Sequence, residues 1–159
     1  MMKTGTPYPF IYTIYILFAL VALAACQNNR SPEELSDQVE QLVDNFHVAF
    51  QDKQIDTLMG FFHSNARLSI SGKGVLKGKQ EIRSFFHTHF QTTSCTTDLV
   101  KDTILISDQI FIYRGQSTGH IQDFESGMTY PLSRFSFFTF TLNETDEIKL
   151  FDYTFVDKD

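Results

Sequence analysis

Residues 50–86 read FQDKQIDTLMGFFHSNARLSISGKGVLKGKQEIRSFF, and within them the chain changes its hydrophobic period twice. Ile55, Leu58, Met59 and Phe62 recur at helical spacing and predict a short helix. Ala66, Leu68 and Ile70 then alternate with Arg67, Ser69 and Ser71, the pattern of a half-buried strand. Gly72, Gly74 and Gly78 punctuate a turn. From Lys79 the helical period returns, with Ile82, Phe85, Phe86 and Phe90 on one side.

The flanks extend this pattern. Upstream, Ser31 can cap a helix, with Pro32 at its first position and Glu34 in its first turn. Leu35, Val39, Leu42, Val43, Phe46, Ala49 and Phe50 give that helix one apolar face, which fades near Lys53. Everything beyond Thr96 reads as strands: 99–106, 109–119, 134–142 and 147–156. Ser107-Asp108 breaks the first pair, and the polar turn Asn143–Asp146 separates the last. Three helices followed by an antiparallel meander predict an α+β domain over residues 33–157, with the helices packed on a curved sheet.

The chain has 159 residues and a net charge of −6. That balance disfavours nucleic acid as a partner. It holds 17 phenylalanines and no tryptophan, enough aromatic bulk to fill a core or to line an apolar cavity.

An apolar run from Phe10 to Ala25, preceded by Lys3, ends on Cys26. It is short for a spanning helix, which needs about 20 apolar residues, and it has the layout of a secretory signal. Leu23-Ala24-Ala25-Cys26 resembles the lipobox of bacterial lipoproteins. The resemblance implies cleavage of residues 1–25 and acylation of Cys26. Residues 26–32 then tether the domain to the membrane. It further implies a periplasm-facing envelope location. Gln27, where an Asp would retain the protein at the inner membrane, favours the outer one. Cys95 is the one other cysteine, and it reads as a small buried hydrophobe or a nucleophile.

The order helix, short helix, strand, glycine turn, helix and meander is similar to the SnoaL-like branch of the NTF2-like superfamily. The local matches are FQDKQIDTLMGFF (residues 50–62), GVLKGKQEIRSFF (residues 74–86) and FTLNETDEIKLFDYTF (residues 140–155). The resemblance implies a sheet curled into a cone around an internal pocket, and often dimerisation through the sheet. Steroid isomerases of this superfamily pair an aspartate base with a tyrosine. Those positions fall here at Ile70 and Phe46, neither of which can accept or donate a proton. The resemblance therefore points to a domain that binds a small apolar ligand or a protein partner. The alternative is a cyclase, dehydratase or isomerase acting on a carbonyl compound in the cone.

For that alternative the acid–base candidates are His89, on the apolar side of the third helix, and Asp152, on the last strand. A neutral core histidine is the competing reading for His89. The expected pocket residues are Phe46, His47, Leu68, Ile70, His89, Arg114, Arg134 and Tyr153. An inward arginine among them would anchor a ligand carboxylate or carbonyl. Strand alternation places Asp152 with Leu150 and Thr154, opposite Phe151 and Tyr153. His87 and His89 sit two apart on a helix and diverge, so no metal site is expected. The glycine turn lacks a Gly-Lys-Ser/Thr ending, and no cofactor is expected.

Overall fold

The structure is a computed structural model that describes residues 30–107 and 109–158. The expected leader 1–25, Cys26 and its neighbours up to Asn29, and Asp108 lie outside the described residues. Helix α1, Pro32–Gln51, buries Val39, Val43, Phe46 and Ala49, three or four residues apart as a single helical face requires. It stops where Lys53 takes a left-handed backbone (φ 56°) and the Gln54 amide donates back to the Ala49 carbonyl at 2.9 Å. The Lys53 ammonium donates to the carbonyls of Phe90 and Thr93, each at 3.0 Å. A cation thus sits at the C-terminal end of another helix, where the helix dipole favours it.

Helix α2 spans Ile55–Phe61 and buries Leu58 and Met59. Phe62, expected on its apolar face, is instead the first residue of strand β1, Phe62–Ile70, which starts four residues earlier than the alternation shows. A register shift between Phe62 and Arg67 interrupts the alternation and hides that start. The glycine turn holds a second strand, β2, Gly74–Lys77, paired antiparallel to β1. Helix α3, Gly78–Thr92, begins with the Glu81 carboxylate accepting from the Lys77 amide at 2.8 Å, and it buries Ile82 and Phe86. Asp56 of α2 accepts from Arg83 of α3 at 2.6 Å.

Four long strands complete the sheet: β3 Thr93–Ser107, β4 Ile110–Asp123, β5 Thr129–Leu142 and β6 Ile148–Asp157. The order across the sheet is β2-β1-β6-β5-β4-β3. All neighbours are antiparallel except β1 and β6, which run parallel. The sheet is curved and does not close on itself. Gly119, read from sequence as the end of a strand, lies inside β4 where β3 presses closest. A Cβ there would collide with the Thr96 carbonyl oxygen and lie 2.8 Å from Thr97 Cα.

Inside the curl, aromatic rings do most of the filling. Phe46 meets Phe61, Phe62, Phe138 and Tyr153 edge-on at centroid distances of 5.4–6.0 Å. Phe138 stacks on Tyr153 at 4.5 Å. Rings of this size each bury 150–250 Å², so this cluster supplies much of the hydrophobic stabilisation. The wide interior that the superfamily resemblance implies is thereby partly occupied, and open space remains between α1, α3 and the sheet.

Candidate functional site

That open space is a cleft of ≈ 250 Å³ between α1, α3 and the inner face of the sheet. Phe50 comes from α1, and Phe85, Phe86 and His89 from α3. Ile70, Ser71 and Lys73 come from the end of β1 and its turn. Ile121, Arg134, Tyr153, Phe155 and Asp157 come from β4, β5 and β6. A deeper void of ≈ 30 Å³ shares Phe50, Arg134 and Tyr153 with it. That void adds Phe46, His47, Cys95, Thr97 and Phe138. Ser117 lines it, with its hydroxyl 3.2 Å from that of Ser136.

Six of the eight expected pocket residues border these two spaces: Phe46, His47, Ile70, His89, Arg134 and Tyr153. Leu68 does not; it is wholly buried in the core. Arg114 does not either. Phe111 and Tyr113 take the inward positions of β4, so Arg114 points outward, half exposed, 2.5 Å from Asp102. Asp152 is also corrected. Thr139 faces Asp152 and Phe140 faces Leu150, so Phe151 is an extra residue in β6. That bulge resets the alternation. Leu150, Tyr153 and Phe155 face the interior, opposite the inward Phe140, Phe138 and Ser136. Asp152 turns to the outer face, 2.7 Å from Arg67 and accepting from the Thr154 hydroxyl at 2.9 Å. It does not reach the cleft.

His89 lies between the rings of Phe85 (5.8 Å, 5° between planes) and Phe50 (6.0 Å, 25°). The Thr93 hydroxyl lies 3.1 Å from its Nδ1. Burial, then the positive charges of Arg134, Lys73 and Lys53, push its pKa down to about 4. The imidazole is therefore neutral at pH 7. His47, by contrast, is held to β3: its Nε2 lies 2.8 Å from the Thr97 carbonyl and 2.7 Å from the Gln51 amide nitrogen. Burial pushes the Cys95 thiol up, partly opposed by Arg134, so it is not an activated thiolate. Burial also raises the Tyr153 hydroxyl, against a hydrogen bond with Ser136 and the charge of Arg134.

Arg134 is more buried than Asp157, its charged neighbour in the cleft. Its inward position on β5 leaves the side chain 17% exposed. The guanidinium lies over the Phe155 ring, 4.5 Å from its centroid. Nε is 3.3 Å from Asp157 Oδ1, within ion-pair range, yet the alignment leaves it without a hydrogen bond. Lys73 and Asp157 were not legible as site residues, because a turn lysine and a strand-end aspartate carry no periodic signal. Among the described residues no group of three His, Cys, Asp or Glu converges as a metal site. No described helix is long and apolar enough to cross a membrane.

No protein-family model matches the sequence, and no curated protein matches it. Solved structures do. A ketosteroid isomerase-like protein from Erwinia carotovora atroseptica SCRI1043 aligns with a TM-score of 0.71 at 16% identity, over 76% of this chain and 93% of that one. A conserved protein from Planctomyces limnophilus DSM 3776 aligns at 0.69 and 14% identity, over 81% and 100%. An NTF2-like protein with a cystatin-like fold from Novosphingobium aromaticivorans aligns at 0.62 and 13% identity, over 83% and 93%. Three helices on a six-stranded, open, mostly antiparallel curved sheet, shared with these proteins, give the chain the NTF2-like fold.

Proposed function

We propose that the protein is a lipid-anchored envelope protein whose NTF2-like domain binds a small, largely apolar molecule. The aromatic cleft of ≈ 250 Å³ between α1, α3 and the sheet carries the binding reading. Pockets for drug-sized ligands run from roughly 300 to 1,000 Å³, so the occupant is small, about one ring with a short chain. Ile70 and Phe46, at the positions where the isomerases keep a base and a tyrosine donor, are apolar walls of the two spaces. A histidine with a pKa of about 4 is a weak base at neutral pH, and Asp152 is on the outer face. Both observations favour binding over proton transfer.

The anchoring reading is supported by the apolar run that ends in Leu23-Ala24-Ala25-Cys26. Two acyl chains on Cys26 would hold the protein stably where one would not. Native mass spectrometry of the chain extracted gently from its membrane should show an adduct of defined mass. A chain that is reproducibly bare, and that takes up no small apolar compound, would refute the binding reading. Cys26→Ala should leave the membrane fraction. Its retention after an alkaline wash would refute the lipid anchor.

A further inference from the structure

The cleft also bears on the chemistry of its occupant. Lys73, Arg134 and Asp157 are the charged residues that line it, two cations against one anion, in a chain whose net charge is −6. The local excess is therefore opposite in sign to that of the whole molecule. Arg134 carries five N–H donors in a planar fork. Its contacts are the Phe155 ring and the Asp157 carboxylate, and neither gives its largely buried Nε a hydrogen bond. A buried donor without a hydrogen bond is costly, and an anion seated on the guanidinium would let Nε realign and relieve that cost.

The lining also says which anion. A surplus of one positive charge suits a monoanion better than a phosphate dianion, and a planar carboxylate matches the guanidinium fork. Much of the remaining wall is apolar and aromatic, with Phe50, Ile70, Phe85 and Phe155 and the His89 ring parallel to Phe85, while Ser71 and Tyr153 add hydroxyls. Resting on the reading of the cleft as a binding site, we propose that its ligand is a one-ring aromatic monocarboxylate. The acid sits on Arg134 and the ring lies among these aromatic side chains. Asp157 is then a competitor for Arg134, displaced from the guanidinium when the ligand carboxylate enters.

The test uses the full chain in lipid nanodiscs with benzoate, phenylacetate and trans-cinnamate, each against its neutral amide, read by isothermal titration and ligand-observed NMR. At least one acid should bind ten- to a hundred-fold more tightly than its amide. Arg134→Gln should erase that preference by weakening the acid alone. Asp157→Asn should tighten the acid several-fold and leave the amide unchanged, a gain that misfolding cannot imitate. Acid and amide binding equally, with both excluded by Ile70→Trp, would overturn the carboxylate assignment while leaving the apolar site standing. Phenyl phosphate binding more tightly than every acid would also overturn it. Binding of none of these compounds at millimolar concentration would overturn the assignment and the site together.

Discussion

Protonating His89 should weaken the fold, and the size of the loss follows from where the ring lies. The imidazole is packed between Phe85 and Phe50, with Arg134, Lys73 and Lys53 all adding positive potential. Its pKa falls from 6.5 to about 4. The unfolded chain thus takes up the proton first. The stability that depends on a neutral His89 is fully present above about pH 6.5 and is lost as the pH falls from there through about 4. At 1.36 kcal/mol per unit the whole window is worth about 3 kcal/mol. Roughly 2.5 kcal/mol of it has gone by pH 4.5, or between about 1 and 2 after allowing for the partly exposed ring. Urea unfolding of the full chain and of His89→Gln at pH 7, 5.5 and 4.5 isolates this contribution, since carboxylate titration is common to both. The variant should start less stable at pH 7 and close the gap by about that amount at pH 4.5. A gap independent of pH, or an NMR titration of His89 near 6.5, would refute the reasoning.

Other consequences are equally direct. Gly119→Ala forces a methyl group against the Thr96 carbonyl where β3 and β4 are closest, and should cost about 2 kcal/mol or more in a thermal melt. A change under about 0.5 kcal/mol would mean that β3 does not press on β4 as described. Asp152→Asn weakens an outer-face ion pair whose arginine is half exposed and whose carboxylate is largely buried, and should cost about 1 kcal/mol, with ligand affinity unchanged. A tenfold change in affinity would place Asp152 in the cleft after all.

The helices were legible because their apolar residues repeat without interruption: Val39, Val43, Phe46 and Ala49 in α1, Ile82 and Phe86 in α3. The strands were less so, and the reason is local. Two of the misreadings fall at breaks in the two-residue period. The irregularity between Phe62 and Arg67 conceals the start of β1, and the extra Phe151 inverts the faces of β6 and with them Asp152. Arg114 and Arg134 looked alike because both stand in aromatic-rich strands. In β5, Phe135 and Phe137 carry rings on one face while Phe138 and Phe140 carry them on the other, so residue type alone does not say which face is inward. Only the packing separates them. The cleft depends on convergence of residues far apart in sequence, such as Lys73, His89, Arg134 and Asp157. No spacing rule encodes that.

Binding of a small, largely apolar molecule in the cleft is open to direct measurement. Ile70 is on its wall, and a tryptophan there would project an indole into the ≈ 250 Å³ of open space. The decisive measurement is ligand-observed NMR of small apolar one-ring compounds with the full chain and with Ile70→Trp, with circular dichroism as the check on folding. Binding to the natural chain and at least a tenfold loss in a well-folded variant are expected. Equal binding to both, or none to the natural chain, would contradict the binding reading.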